Sequence, residues 1–155
     1  MSEKETTESA RTIEFVSLTA GGQGFCIEIT LIREIRRWSQ VTALPFAEDS
    51  VLGVMNLRGA VIPIVDLAAR LGLGATEIGA RNIVVVTAIG SKIVGLVVDS
   101  VSEILSVNVE TIRPNPTLRR DGTGNHVVGL LPVDDVMLRV LDLETLFAKG
   151  TEEAA

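Results

Sequence analysis

The sequence contains few of the residues on which disulfide-stabilised, nucleic-acid-binding and catalytic proteins depend. Its 155 residues include one cysteine, one histidine, one tryptophan, four phenylalanines and no tyrosine. A single cysteine excludes an internal disulfide and is typical of proteins from a reducing compartment. Aromatic residues make up only 3% of the chain, which is too little for the stacking platforms that bind single-stranded nucleic acids.

Charge and hydropathy exclude two further classes of partner. The formal net charge is −6 and the pI is about 4.8, so nucleic acids and anionic membranes repel the chain. No basic patch offsets this charge, because Glu34 interrupts the densest arginine cluster, at residues 33–37. Residues 1–12 lack the apolar core of a signal peptide, and no apolar run approaches the roughly 20 residues that span a bilayer. We therefore predict a soluble, cytoplasmic protein with no nucleic-acid partner and no direct membrane insertion.

The chain does contain a large apolar fraction, 46% against 22% charged residues, and it is arranged as an internal repeat. Segments of the first half recur in the same order in the second half, with gaps only at predicted turns. The matches are residues 15–20 with 83–88, 29–35 with 98–104, 42–45 with 111–114, 51–55 with 127–131, and 64–67 with 140–143. The separation thus rises from 68 to 69 and then to 76 positions, and residues 115–126 form a longer loop in the second copy.

Each copy is predicted to form about five short strands and a terminal helical turn. In the first copy the predicted elements are strands at 13–18, 25–29 and around Ile35, a bend near 30–33, a hairpin at 52–57 and 60–66, and a helix at 67–71. Asp66 is predicted to cap that helix, and Asp142 to cap its counterpart at 143–147.

Five short, twisted strands can close into a small barrel. We therefore predict a mainly β fold of two five-stranded barrels, one per copy, with short helices at the barrel ends. The predicted boundaries are a flexible tail at 1–12, one domain at 13–147 with halves at about 13–72 and 83–147, and a tail at 148–155.

The residues with reactive or metal-ligating side chains do not form a catalytic or metal-binding set. His126 is a lone histidine in a polar loop, and Cys26 lies in an apolar strand without a base nearby. Residues 21–24 resemble a phosphate-binding loop but lack its lysine, and their counterpart at 90–92 is a hairpin turn. Asp134 and Asp135 are adjacent and are better explained as a turn. We predict no enzyme activity, no cofactor and no metal.

The two copies differ most at residues 56–59, Asn-Leu-Arg-Gly, against Pro-Val-Asp-Asp at residues 132–135. An arginine at a hairpin tip presents several donors to a partner, although a solvated turn arginine is an equal alternative. Glu34 could pair with Arg58 across the barrel and orient it, or it could be a solvent-facing glutamate of little energetic importance.

Apolar residues near the bend of each copy also have two interpretations. The residues concerned are Ile32, Ile35, Val98 and Val101. They belong to the core by default. Alternatively, they line a groove where the two barrels meet, and grooves of this kind accept amphipathic helices.

At these residues the sequence resembles the CheW family of bacterial chemotaxis coupling proteins. The resemblance extends from about Ile13 to Phe147, and its most specific block is Asn-Leu-Arg-Gly at residues 56–59. The other matching blocks are residues 32–36, 51–55, 61–67, 94–105, 112–114, 129–131, 134–135 and 137–138.

The resemblance implies two SH3-like barrels and a non-catalytic adaptor. It implies that the protein couples the cytoplasmic tip of methyl-accepting chemoreceptors to the regulatory domain of the histidine kinase CheA, which pairs with it barrel against barrel. It also allows self-association in rings, and recruitment to membrane receptor arrays. Arg58 matches the functionally important arginine of the family and Glu34 its partner. The predicted protein-binding residues are Ile32, Glu34, Ile35, Gly53, Asn56, Arg58, Val98 and Val101.

Departures from the family pattern leave the partners open. Arg37 stands where glycine is common, Trp38 follows it, and no arginine follows Asp134-Asp135. Trp38 either adds a contact or covers the barrel end. The alternatives are a CheW-like scaffold of a pathway serving pili or surface sensing, and a small-molecule-sensing domain that uses the groove as a pocket.

Overall fold

The computed structural model describes residues 11–117 and 126–148, and short β-strands dominate this part of the chain. The predicted loop at 115–126 and the predicted tails therefore lie largely outside the described residues. The elements are β1 (Thr12–Ala20), β2 (Gln23–Glu28), β3 (Ile32–Arg37), β4 (Val51–Leu57), β5 (Ala60–Asp66), α1 (Leu67–Arg70), β6 (Ile83–Ile89), β7 (Lys92–Val98), β8 (Ser100–Asn108), β9 (Arg113–Pro114), β10 (Val127–Val133), β11 (Val136–Leu141) and α2 (Leu143–Leu146), with 3-10 turns at Ile29–Leu31 and Val109–Thr111.

The strands form two sheets, each of which closes on itself. The first barrel has the order β3-β6-β7-β5-β4, and the second has the order β8-β1-β2-β11-β10-β9. In the second barrel the two edge strands, β8 and β9, are joined by a short 3-10 turn, so the sheet must curl to bring its edges together. In the first barrel Thr42, shortly after β3, forms a bridge with Val54 on β4 at the opposite edge. These closures confirm the predicted mainly β fold of two SH3-like barrels.

The assignment of one barrel to each sequence copy is wrong. The first barrel combines β3, β4 and β5 of the first copy with β6 and β7 of the second, and the second barrel takes β1 and β2 from the first copy. The 3-10 turn at Ile29–Leu31 ends β2 and lets the chain enter the other sheet as β3. The exchanged hairpins join their new sheets through parallel pairing of β2 with β11 and of β7 with β5.

The strand registers show the true alignment of the two copies. The first hairpin of each copy has a two-residue turn, with Ala20 opposite Gln23 in one and Ile89 opposite Lys92 in the other. The separation is therefore 69 positions throughout this region, and Phe15 is equivalent to Val84 rather than to Ile83. The edge strands β3 and β8 each carry a shift in pairing register. The shift lies one residue before Glu34 in β3 and one residue before Glu103 in β8, which are equivalent positions.

The later hairpins confirm the predicted separation of 76 positions. Gly53 pairs with Ile64 in the first copy, and Gly129 pairs with Val140 in the second. The match of Thr42 with Thr111 needs correction, because the counterpart of the bridge between Thr42 and Val54 is the pairing of Arg113 with Leu130.

A core shared between the barrels holds them together. Leu67 and Leu96 from the first barrel pack in one cluster with Phe25, Leu143 and Phe147 from the second, and all five are nearly inaccessible to solvent. Each barrel also has an interior cluster of its own. Fully burying one such side chain stabilises the fold by roughly 1.5–3 kcal/mol. The two barrels thus share one continuous apolar core.

The predicted helix caps are confirmed. Asp66 Oδ1 accepts a hydrogen bond from the Ala69 N–H at 3.4 Å, and Asp142 Oδ1 accepts one from the Glu144 N–H at 3.1 Å. Each carboxylate satisfies an otherwise unpaired donor in the first helical turn. Each helix ends one residue earlier than the sequence pattern predicted.

Candidate protein-binding surface

Arg58 lies at the tip of the hairpin formed by β4 and β5. Its φ is 53° and that of Gly59 is 88°, which is the two-residue turn type that matches the twist of paired strands. Asn56 Oδ1 accepts a hydrogen bond from the Gly59 N–H at 2.9 Å and holds the turn. For an arginine this backbone conformation costs on the order of 1 kcal/mol. Such strain is concentrated at functional sites, because the side chain is needed there.

Glu34, on β3, holds the Arg58 side chain. Arg58 Nη2 lies 2.7 Å from Glu34 Oε1, and Arg36 Nη1 lies 3.3 Å from Glu34 Oε2. The predicted pairing is therefore confirmed. The Arg58 side chain is 72% exposed and that of Glu34 only 22%. An exposed pair of this kind adds at most about 1 kcal/mol of stability, so its main effect is on the direction of the guanidinium.

Glu34 also lines an apolar groove between the two barrels. We call it the inter-barrel groove, and its apolar lining consists of Val16, Ile29, Ile32, Ile35, Val101 and Ile104. Edge strand β3 supplies one wall and edge strand β8 the other. Ile35 is 45% exposed and Ile104 is 60% exposed, so the groove presents apolar surface to solvent. Ile32, Ile35 and Val101 line this groove, as predicted.

The inter-barrel groove includes a residue that the sequence interpretation missed. Ile104 is the counterpart of Ile35, 69 positions later, and it lies on the opposite wall. The repeat alignment already matched these two isoleucines. Ile104 was therefore predictable from the sequence, because the reasons for choosing Ile35 apply equally to its counterpart.

Val98 does not belong to the surface. Its side chain is fully buried in the shared core. It ends β7, a central strand that packs against one barrel interior on one face and against the shared core on the other. Central strands of this kind are buried on both faces. Assigning Val98 to a partner contact is therefore wrong.

Gly53 is also buried, and the structure gives it a role in barrel closure. A Cβ atom at this position would lie 2.3 Å from the backbone oxygen of Thr42. The absence of a side chain therefore permits the bridge between Thr42 and Val54. At the equivalent Gly129, a Cβ would lie 3.2 Å from the Arg113 oxygen. Gly53, predicted to be a protein-binding residue, therefore has a structural role in barrel closure instead.

The other polar candidates have structural explanations. Burial raises the pKa of the Cys26 thiol to about 12, so the residue stays protonated and unreactive. Residues 21–22 and 134–135 are hairpin turns, as predicted.

Trp38 is half-buried against the interior of the first barrel. This position favours the prediction that Trp38 covers the barrel end over the prediction that it adds a partner contact.

Within residues 11–117 and 126–148, no group of three or more His, Cys, Asp or Glu side chains is placed to hold a metal ion. No helix in that same part of the chain has the length and hydrophobicity to cross a membrane.

Comparisons with known proteins agree with this architecture. A family model described as "CheW-like domain" matches residues 14–150. The chain is 44% identical over 142 residues to the "Probable chemotaxis protein CheW" of Rhizobium etli, with 92% of each chain covered. It is 41% identical over 152 residues to the "Chemotaxis protein CheW" of Rhizobium meliloti, covering 98% of this chain and 97% of that one.

A solved structure shares the fold. The scaffolding protein TtCheW from Thermoanaerobacter tengcongensis superposes with a TM-score of 0.79 at 26% identity, covering 87% of this chain and 92% of that one.

Proposed function

The chain belongs to the CheW-like domain family, whose members are non-catalytic coupling scaffolds in chemotaxis, and on this premise we propose that it joins the cytoplasmic tip of methyl-accepting chemoreceptors to the regulatory domain of the kinase CheA. The observation that carries the proposal is the strained, exposed Arg58 held by Glu34 at the rim of the inter-barrel groove. The protein would act in the cytoplasm and join membrane receptor arrays through these partners.

The inter-barrel groove has the chemistry that a receptor helix requires. Ile32 and Ile35 face Val101 and Ile104 across an open apolar channel. An amphipathic helix places apolar side chains at i, i+3, i+4 and i+7 into a groove of this kind. Arg58, at the rim, would then donate to a carboxylate or a carbonyl on the polar side of the helix. A small-molecule sensor would need convergent polar groups in the groove, and its lining is mainly apolar.

A second surface suits the kinase. Val61 on β5 and Met137 on β11 occupy equivalent positions, 76 apart, and both are exposed. Each barrel thus presents an apolar face beside its hairpin tip. A kinase domain of similar fold would cover one such face, barrel against barrel. The equivalent face on the other barrel would remain available to a further copy or kinase, as ring formation requires.

The proposal is tested by separating the two contacts. Arg58→Asp should abolish capture of the receptor tip while leaving capture of the kinase intact. Met137→Asp or Val61→Asp should weaken kinase capture instead. Arg81→Asp, which makes the same charge change on an exposed residue of the linker, serves as the control. Pull-downs and a coupled assay with purified receptor and kinase measure these effects.

Circular dichroism of each variant shows whether the fold is retained. Normal receptor-dependent kinase activation by a folded Arg58→Asp variant would refute the role assigned to Arg58. Failure of the wild-type chain to capture either partner would refute the coupling function itself.

A further inference from the structure

The linker between the two copies covers part of the first barrel. Asp66 Oδ2 accepts a hydrogen bond from the Thr76 N–H at 2.7 Å, and Asp66 Oδ1 accepts one from the Thr76 hydroxyl at 2.6 Å. Two residues later, Ile78 packs against the interior cluster of the first barrel, which includes Val84 and Val97. A threonine and an isoleucine, two positions apart, thus fasten an extended segment over this barrel.

The equivalent place on the second barrel is a groove, which we call the Asp142 groove. Asp142 is the counterpart of Asp66, and its Oδ1 accepts from the N–H groups of Glu144 and Thr145 in its own helix. Within residues 11–117 and 126–148, no donor reaches its other carboxylate oxygen in the way that Thr76 reaches Asp66. Among those residues, none supplies the donor that Thr76 supplies in the first barrel.

The apolar part of the Asp142 groove is less covered than its counterpart at one residue, Val128. Phe15 and Val140 line it, in the places that Val84 and Ile64 hold in the first barrel. Val128 is 41% exposed, whereas its counterpart Leu52 packs against the first-barrel interior. An apolar side chain in this groove would cover the second barrel at the place equivalent to the one that Ile78 covers on the first barrel.

The charge of the Asp142 groove differs from that of the first barrel. Glu28 lines it at the position where the first barrel has the fully buried Val97. Asp142 and Glu144 add two further carboxylates, and no basic residue is among the described residues that line the groove. The groove therefore favours an occupant that carries positive charge.

The tails of this chain match the linker poorly in sequence. In the N-terminal tail, 69 positions before the linker, Thr7 corresponds to Thr76 but Ser9 corresponds to Ile78. In the C-terminal tail, 76 positions after the linker, Glu152 corresponds to Thr76 and Ala154 corresponds to Ile78. Neither tail has a large apolar residue at the corresponding position, and both tails contain glutamates, which an acidic groove disfavours.

We propose that the Asp142 groove binds an extended segment of a partner protein, in which a threonine or serine stands two positions before an isoleucine, valine or leucine and a lysine or arginine lies beside them. The hydroxyl and its backbone N–H donate to Asp142, the apolar side chain packs against the exposed Val128, and the basic residue faces Glu28 and Glu144. This site is separate from the inter-barrel groove and does not depend on the receptor contact.

A peptide made from the chain's own linker tests the proposal. The probe is residues 72–80 with Glu77→Lys, titrated into the full-length, isotope-labelled protein while amide chemical shifts are followed. Saturable shifts should concentrate at Val128, Gly129 and Asp142. Replacing the isoleucine of the peptide by serine, or its threonine by valine, should weaken binding at least fivefold. The peptide that keeps Glu77 should bind less tightly, by a margin that shrinks at high salt.

Variants of the protein locate the site. Val128→Lys should abolish the shifts, whereas Val136→Lys, which alters an exposed valine of the same barrel outside the groove, should retain them. Absence of saturable shifts, or unchanged binding to Val128→Lys, would overturn the proposal. Nuclear Overhauser contacts between a tail and Val128 in the free protein would overturn it in favour of a tail as occupant.

Discussion

Arg58 and Asp134 occupy the same place in two equivalent hairpin turns, 76 positions apart, and both have a positive φ, 53° and 54°. The turn geometry is thus preserved while the charge at the tip is reversed. An aspartate tolerates this backbone conformation better than an arginine does. The first hairpin therefore keeps a residue that suits its backbone less well, which indicates that the guanidinium itself is needed.

Replacing Arg58 by asparagine should separate stability from function. Asparagine adopts positive φ more readily, so Arg58→Asn should raise the free energy of unfolding by up to about 1 kcal/mol. Receptor-dependent kinase activation should fall in the same variant. Phe46→Asn is the matched control, since Phe46 also has a positive φ, 64°, and is fully exposed. It should gain similar stability in urea denaturation without loss of activation.

Exchanging the charges of the Glu34–Arg58 pair should restore the pair but not the binding. Glu34→Arg combined with Arg58→Glu keeps opposite charges in this pair but places an arginine beside Arg36, so the free energy of unfolding should fall by about 1 kcal/mol. Receptor capture should remain lost, because the exposed partner-facing charge is now negative. Recovery of capture by the double variant would show that only the ion pair matters.

Gly53→Ala should destabilise the protein by about 3 kcal/mol or more, because the new Cβ would meet the Thr42 backbone oxygen. Backbone atoms cannot move aside as a side chain can, so the closure of the first barrel must shift. Gly79→Ala is the control, since a Cβ there meets nothing within 4 Å. Urea denaturation should show little change for this control.

Arg70→Met should weaken the contact between the two helices. Arg70 Nη1 donates to the Leu146 carbonyl at 3.3 Å, and its guanidinium lies 4.8 Å from the centre of the Phe147 ring. Burial lowers the pKa of Arg70 and Glu48 opposes this effect, so the charge persists at neutral pH. Hydrogen bonds from charged groups contribute roughly 1.5–3 kcal/mol each. We expect a loss of about 2–3 kcal/mol in calorimetry or urea denaturation, against almost none for Arg81→Met.

Cys26 should make stability fall at high pH. The folded protein holds this thiol's pKa at about 12, whereas an unfolded thiol titrates near 8.5. Below the unfolded value both states are protonated, and the contribution is complete. Between about pH 9 and 12 the unfolded state loses its proton first, so stability falls by up to about 1.4 kcal/mol per pH unit.

The Cys26→Ala variant isolates this effect. It should be less stable at pH 7, because a buried thiol is lost, but its stability should depend less steeply on pH between 9 and 11. Identical slopes for the two proteins in urea denaturation would contradict the assignment.

The sequence pattern predicts much of the local structure because local structure has local causes. The hairpin turning at Arg58-Gly59, the caps at Asp66 and Asp142, and the pair between Glu34 and Arg58 each follow from residue types at short range or from comparison of the copies. Strand alternation shows which residues can be buried. It does not show which strands become neighbours.

Pairing between distant strands explains the predictions that failed. The exchange of hairpins between barrels depends on which edge β2 and β7 join, and an apolar strand with a two-residue period fits either sheet. Val98 was misplaced for the same reason, because its burial on both faces follows from the position of β7 in the middle of a sheet. Gly53 needed knowledge of the Thr42 bridge, which no local pattern contains.

The exchanged hairpins make this chain the covalent equivalent of a domain-swapped dimer. Two separate copies, each with the segments seen here, would build the same pair of barrels by trading their first hairpins. Residues 71–82 tether the two copies, so hairpin trading becomes intramolecular and independent of protein concentration. Cutting this tether should leave two fragments that hold together only by mutual pairing, and neither fragment could complete a barrel from its own strands.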